Sequence, residues 1–203
     1  KAVGNDFKLM SDPVAPYTFE QALRFGRELE KLNYHWYEEP LFDENFHNLR
    51  ELTRILDIPV VGTEVIAKHP YSVAECISTR VVDIVRADPS WSGGITATMK
   101  TAHLAEAFGM NYEIHHGGNS LNNWANLHVI LAIKNTTYFE VLLPSGAQKY
   151  GVIDDLEPDS QGMVKAPEQA GLGAKIDFDD PDLDIPTLNA FIKAENGYVR
   201  EVA

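Results

Sequence analysis

The sequence predicts an α/β fold in which parallel strands and helices alternate, as in a (β/α) barrel. Short apolar runs typical of strands alternate with amphipathic segments at about 25 residues per unit. This alternation predicts parallel strands joined by right-handed crossovers. In addition, an acidic residue or a histidine stands at the C-terminal end of each apolar run. The intervals between these residues are 26, 26, 24, 27 and 25, and the residues are Asp12, Glu38, Glu64, Asp88, His115 and Glu140.

A doubly wound sheet would satisfy the same alternation, but it should carry a glycine-rich phosphate turn after the first strand. Residues 12–15, Asp-Pro-Val-Ala, are not such a turn. A barrel assembles its active site from the C-terminal ends of several strands, so functional residues recur once per unit. The recurrence therefore favours the barrel. Six units are visible where a closed barrel has eight, and we expect roughly the first two strands to lie upstream.

The first three units each begin with an apolar run and continue into a helix. Thr18 to Gln21 form a capping-box pattern that starts the first helix, and residues 72–75 form a second such pattern before the third helix. Strands are predicted at residues 7–10, 34–37 and 58–61, and helices at 18–32, 45–56 and 72–80.

The remaining units follow the same order. Gly93 and Gly94 lead into the fourth helix, and Gly109 ends it as a C-cap. Strands are predicted at residues 81–85, 112–114 and 138–143, and the last helix at 124–133. Residues 1–143 therefore form the barrel portion. Residues 144–203 form a tail rich in Gly, Pro and Asp, without a catalytic signature.

Composition excludes several classes of partner. The net charge is -13 and Lys/Arg residues do not cluster with aromatic ones, so nucleic acid is not an expected partner. The apolar runs are far shorter than a bilayer requires, so membrane association is not expected either. The single cysteine, Cys76, excludes an internal disulfide and suits a reducing compartment, which predicts a cytoplasmic location.

Asp12, Glu38 and Glu64 end three successive predicted strands, so their side chains should converge at one mouth of the barrel. Three carboxylates in a site of low dielectric repel one another, and at least one would be protonated unless a cation is bound. All-oxygen ligation by few protein ligands suits Mg²⁺ better than zinc. We therefore predict a Mg²⁺ site at this trio. Adjacent Glu39 carries no signal beyond a surface or packing role.

Asp88 and His115 end the next two strands and predict a general base. A carboxylate bonded to one imidazole nitrogen fixes the tautomer and raises the basicity of the other nitrogen. Glu140 ends the last predicted strand, where it can donate or accept a proton at the edge of the substrate. Arg86 shares the strand parity of Asp88, so we expect it to point into the barrel and to balance charge. His116 should point to the opposite side and is interpreted as structural.

Six segments of the sequence carry a resemblance: 9–12 (LMSD), 36–40 (WYEEP), 59–64 (PVVGTE), 86–88 (RAD), 93–95 (GGI) and 108–109 (FG) leading to His115. They resemble the enolase superfamily, in particular its mandelate racemase subgroup. The resemblance covers most of residues 1–143 and implies the C-terminal part of a modified TIM barrel of the (β/α)7β type. It implies that strands three to eight are present, and that the first two strands and an N-terminal α+β capping domain are not. The tail 144–203 would pack on the barrel or on the capping domain.

The resemblance also implies roles for the recurring residues. Asp88 and His115 would be the base dyad and Glu140 the acid of the eighth strand. The Mg²⁺ ligands would be Asp12, Glu38 and Glu64. Two departures stand out. The family's Lys-x-Lys strand would lie upstream of Lys1, and Val14 stands where many members have Asn.

The implied chemistry is abstraction of the proton α to a carboxylate, with Mg²⁺ stabilising the enediolate. Within the subgroup the chain resembles the acid-sugar dehydratases, in which loss of water gives a 2-keto-3-deoxy acid. A racemase, epimerase or cycloisomerase using the same enediolate is one alternative, and a catalytically silent barrel that binds an acid sugar is another. The expected partners are a sugar acid, the N-terminal part of the same subunit and further copies in a homo-oligomer. Alone, the chain is expected to be inactive.

Overall fold

The structure, a computed structural model, describes residues 3–4, 6–65, 69–116, 120–143 and 151–179. Within these ranges, five strands and five helices alternate. The strands are β1 (Met10–Ser11), β2 (Trp36–Glu38), β3 (Val60–Gly62), β4 (Ile84–Ala87) and β5 (Tyr112–Ile114). The helices are α1 (Phe19–Lys31), α2 (Phe46–Ile55), α3 (Pro70–Ser78), α4 (Gly94–Ala107) and α5 (Ser120–Ala132).

The strands form one parallel sheet in the order β1-β2-β3-β4-β5. A doubly wound sheet reverses its strand order at a switch point, whereas a barrel adds each strand beside the preceding one. The uninterrupted order therefore confirms the predicted α/β barrel class. The register pairs Met10 with Trp36, Tyr37 with Val60, Val61 with Ile84 and Val85 with Tyr112.

The hydrophobic core lies between the sheet and the helices. Val60 and Val85 of the strands and Leu52 of α2 are fully buried and belong to one cluster. Both faces of the parallel sheet in a barrel are buried, which explains why the strand segments are nearly continuous apolar runs. Gly26 lets α1 approach α2 closely, because a Cβ at this position would lie 2.5 Å from Leu56 Cδ1.

The predicted helix starts have different outcomes. The capping box at Thr18 is confirmed, since its hydroxyl accepts from the Gln21 N–H and the Gln21 side chain accepts from the Thr18 N–H. The capping box predicted at residues 72–75 is wrong. Helix α3 begins earlier, at Pro70, with His69 as its N-cap. Proline is favoured in the first helical turn because its missing N–H has no partner there to lose.

The strand predicted at residues 138–143 is also wrong. The backbone amides where this strand should begin donate to a side chain and not to a neighbouring strand. The Glu113 carboxylate accepts from Thr137 N–H at 3.1 Å and from Tyr138 N–H at 3.2 Å. Thr136 Oγ1 donates to the same carboxylate at 3.1 Å. The apolar run at residues 138–143 could not reveal that the distant Glu113 carboxylate holds the backbone where the run begins.

The chain divides into two compact units, residues 1–117 with 125–141, and residues 118–124 with 142–203. The sheet and all the predicted site residues belong to the first unit. In the second unit an antiparallel bridge joins Val152 and Ile176. The predicted boundary at residue 143 stays a prediction, since residues 144–150 and 180–203 lie outside the described residues. None of the helices in the described ranges has the length and apolar character needed to span a membrane.

Candidate active site

The predicted site residues lie at the C-terminal ends of the strands. Asp12 directly follows β1, Glu38 ends β2 and Glu64 follows β3, while Asp88 and His115 directly follow β4 and β5. Because parallel strands end at the same edge of a sheet, this placement brings the side chains to one mouth. A cavity of 260 Å³ opens there, lined among others by Asp12, Glu38, Arg86, Tyr138 and Glu140.

Arg86 lies among the carboxylates of this mouth, on the side that its strand parity predicted. Its Nε contacts Glu38 and lies 3.0 Å from Glu64 Oε2, and its Nη2 contacts Glu140. Only 4 % of Arg86 is exposed. Three carboxylates therefore share one buried guanidinium, and Asp12 adds a fourth negative charge near Glu38. With four carboxylates against one guanidinium, negative charge exceeds positive charge by three when all groups are ionised.

The pKa shifts reflect this excess. Burial, helped by the charges of Glu64 and Asp12, raises the pKa of Glu38 to about 9 against the attraction of Arg86. Burial also raises the pKa of Glu64, although His115 and Arg86 oppose the shift. Burial lowers the pKa of Arg86, but the surrounding carboxylates outweigh that effect and raise it above its ordinary value. The site therefore favours added positive charge, either as protons or as a cation.

The donor chemistry of the trio fits a hard divalent cation, although the side chains are not arranged around one. Within the described ranges, no three Asp, Glu, His or Cys side chains are gathered closely enough to hold a metal ion as they stand. Glu38 and Glu64 are paired with Arg86, and Asp12 accepts a hydrogen bond from Val14 N–H at 3.1 Å. Glu38 Oε1 is buried, and it is the carboxylate oxygen that contacts Arg86 Nε. Carboxylate oxygens and excess negative charge suit Mg²⁺.

Asp88 and His115 form the predicted pair. Asp88 Oδ2 lies 3.0 Å from His115 Nδ1, and the Asp88 side chain is completely buried. Its other oxygen accepts from Ser90 N–H at 2.8 Å and from Ser90 Oγ at 2.7 Å. A carboxylate at Nδ1 favours the tautomer that carries its proton on Nδ1, which leaves the Nε2 lone pair available to accept a proton. His115 Nε2 faces the acid cluster, 3.6 Å from Glu64 Oε1.

Glu140 joins the site without belonging to a strand. Its Oε2 contacts Arg86 and accepts from His116 N–H at 2.7 Å. The side chain of Glu140 is 32 % exposed, so it forms the solvent-facing edge of the cluster. Although the predicted strand is absent, the Glu113 carboxylate fixes the backbone just before Glu140. The structure thus brings Glu140 to the predicted mouth by a different local structure.

Sequence reasoning missed three features near the site. The indole ring of Trp91 lies against the His115 ring, with centroids 4.7 Å apart and planes at 33°. Glu113 is a buried carboxylate that holds the segment before Glu140, and a charged residue inside a short apolar strand was the available signal. Glu39 and Asp43 are both buried, and burial together with Asp43 raises the pKa of Glu39 to about 10. No sequence signal separated this pair from surface acids.

Known proteins resemble this chain in sequence and in structure. Residues 1–180 match the family described as Enolase C-terminal domain-like. An arabinonate dehydratase of Saccharolobus solfataricus is 32 % identical over 176 residues, which is 87 % of this chain and 47 % of that protein. A 3,6-anhydro-alpha-L-galactonate cycloisomerase of Streptomyces coelicolor is 27 % identical over 177 residues, covering 87 % of this chain and 46 % of that protein.

Among solved structures, the D-glucarate dehydratase of Agrobacterium tumefaciens complexed with magnesium superposes with a TM-score of 0.76 at 38 % identity. The match covers 88 % of this chain and 47 % of that chain. The chain thus spans about half the length of the relatives it matches. The match over residues 1–180, together with these relatives, confirms the resemblance: the chain belongs to the enolase superfamily, in its Enolase C-terminal domain-like family.

Proposed function

We propose that the natural polypeptide containing these residues is a Mg²⁺-dependent dehydratase of a sugar acid. The observation that carries the proposal is the Asp88–His115 pair, which places Nε2 beside a cluster of carboxylates at the strand ends. A base next to a cation-binding acid cluster suits removal of a proton α to a carboxylate. The dehydratases of arabinonate and D-glucarate among the relatives support the substrate class.

Asp12, Glu38 and Glu64 would hold the ion, since they supply only carboxylate oxygens. When bound, Mg²⁺ supplies positive charge that stabilises the negative charge developing on the substrate carboxylate. Side chains of this chain would carry out the proton transfers. Asp88 keeps His115 in the tautomer that can accept a proton, and its own orientation is fixed by the two hydrogen bonds from Ser90.

In the proposed reaction, His115 Nε2 removes the α-proton and the electron pair of the C–H bond moves into the carboxylate. The electron pair then returns to form a Cα–Cβ double bond as the β-hydroxyl leaves. The imidazolium of His115 returns its proton to that hydroxyl, so water departs and the enol formed becomes a 2-keto-3-deoxy acid. In this proposal Glu140, at the exposed edge, would accept a hydrogen bond from a substrate hydroxyl or, when protonated, donate one.

The same first step serves a second candidate. A racemase, epimerase or cycloisomerase would remove the α-proton without loss of water. The cycloisomerase among the relatives supports this second candidate. A barrel that binds a sugar acid without catalysis is the third candidate, since the acid trio does not form a ready-made ion site. A cytoplasmic location and a homo-oligomer remain part of the proposal.

The test is an assay of the natural polypeptide with a panel of aldonates and aldarates in deuterium oxide with Mg²⁺. We expect a 2-keto-3-deoxy product with wild type and a loss of at least about 100-fold with His115→Asn, since a general base contributes roughly 10²–10⁴. The exposed His103 on α4 provides a matched control, and His103→Asn should keep wild-type activity.

Three results separate the candidates. Exchange of the α-proton without a keto product would replace the dehydratase by an isomerase. Neither exchange nor product, with retained binding of the sugar acid, would favour the silent barrel. Full activity of His115→Asn would reject His115 as the base.

A further inference from the structure

The guanidinium of Arg86 stands where the carboxylates of the proposed ion site converge. Its Nε lies between Glu38 and Glu64, two of the three proposed ligands, and its Nη2 reaches Glu140. The side chains of Arg86 and Glu38 are 5 % and 4 % exposed, so water screens this pair weakly. A buried cation this close to two carboxylates satisfies oxygens that a divalent ion would also need.

We propose that Arg86 is an internal counter-cation that competes with the divalent ion for Glu38 and Glu64 and thereby sets the ion affinity of the site. This inference rests on the proposed function, because it assumes that these carboxylates hold Mg²⁺. Before the ion binds, Arg86 keeps three mutually repelling carboxylates together. When the ion binds, Arg86 releases Glu38 and Glu64 and keeps Glu140, its more exposed partner.

Competition between Arg86 and the ion predicts the direction in which removing the guanidinium changes the ion affinity. Two positive charges a few ångströms apart repel each other strongly even at an effective dielectric constant of about 20, so removing the guanidinium charge should strengthen ion binding. If Arg86 instead served only to hold the site together, removing it would weaken ion binding. The two roles therefore predict changes of opposite direction in the same measurement.

The experiment is calorimetric titration of Mg²⁺ into wild type, Arg86→Gln and Arg86→Lys. Gln removes the charge and keeps a hydrogen-bond donor at the position of Arg86 Nε, which pairs with Glu64, whereas Lys keeps the charge and is the matched control. We expect the Kd of Arg86→Gln to fall roughly tenfold or more, and that of Arg86→Lys to stay within about threefold of wild type. An unchanged or weaker affinity of Arg86→Gln, with normal binding by wild type, would overturn the inference and leave the proposed function intact.

If neither wild type nor Arg86→Gln binds Mg²⁺, the proposed function and this inference fail together, and the wild-type titration identifies that case. A second measurement does not depend on the folding of a variant. In wild type labelled with ¹⁵N-arginine, the Nε–H resonance assigned to Arg86 should shift as Mg²⁺ saturates the site, because Glu38 and Glu64 leave the guanidinium. A resonance that stays unchanged at saturation would contradict the competition.

Discussion

Replacing Glu113 by alanine should detach the segment that carries Glu140. Glu113 is 1 % exposed, and its carboxylate accepts from Thr136 Oγ1 at 3.1 Å, Thr137 N–H at 3.1 Å and Tyr138 N–H at 3.2 Å. Hydrogen bonds to a charged group contribute roughly 1.5–3 kcal/mol each. Thr137 is exposed, so water replaces its lost partner at little cost. We therefore expect Glu113→Ala to lower the free energy of unfolding by about 3 kcal/mol, carried mainly by the two less exposed donors.

Urea unfolding of the chain measures this change, and two further variants control it. Glu113→Gln keeps one acceptor oxygen and should lose only about 1 kcal/mol, within the range of a neutral hydrogen bond. Glu106→Ala removes an ion pair with Lys134 whose nitrogen and oxygen lie 2.7 Å apart at the surface, and it should cost less than about 1 kcal/mol. Amide exchange at Tyr138 should accelerate only in Glu113→Ala. Equal stabilities of Glu113→Ala and Glu106→Ala would refute the assignment of Glu113.

Three further predictions concern the site and the core. Trp91→Ala should lower kcat about tenfold, because the indole ring no longer restricts the orientation of the His115 ring. Trp91→Phe should restore most of the rate. Equal rates for Trp91→Ala and wild type would exclude this role. The pKa of Glu39 is raised from 4.5 to about 10 in the folded protein, so as pH rises the unfolded chain loses this proton before the folded chain does. The contribution of protonated Glu39 to the free energy of unfolding is therefore complete below pH 4.5 and is lost as pH rises toward 10. Glu39→Gln should remove that loss. Urea unfolding of wild type and Glu39→Gln at pH 6 and pH 9 measures it, and the same pH dependence in both proteins would exclude this effect of Glu39. Leu52→Ala should lower the free energy of unfolding by about 2–5 kcal/mol, and a loss below 1 kcal/mol would mean that Leu52 is not a core residue.

The strand ends were predictable because two signals coincide at them. Apolar runs fix where the strands lie, and parallel strands in sequential order force their C-terminal ends to one edge. Asp88 and His115 meet at 3.0 Å as their spacing predicted, and Arg86 points into the mouth as its parity predicted. The helix started by Thr18 was also predictable, because a capping box is a purely local pattern.

The parts that could not be predicted depend on contacts between distant residues. Glu113 accepts hydrogen bonds from residues 136–138, and nothing local to those residues reveals it. Glu39 and Asp43 become buried together only once the strand ends are assembled. Spacing likewise placed Glu38 and Glu64 at one mouth, but it did not show that Arg86 would engage both of them.

In the proposed site, the carboxylates at the strand ends bind a divalent ion beside the Asp88–His115 pair. Anomalous diffraction from crystals grown with Mn²⁺ in place of Mg²⁺ locates such an ion directly, since both are hard cations that prefer oxygen ligands. We predict a single peak within bonding distance of oxygens of Asp12, Glu38 and Glu64. A peak elsewhere would contradict this ion site. So would the absence of a peak between the carboxylates at saturating Mn²⁺, with Arg86 still paired to Glu38 and Glu64.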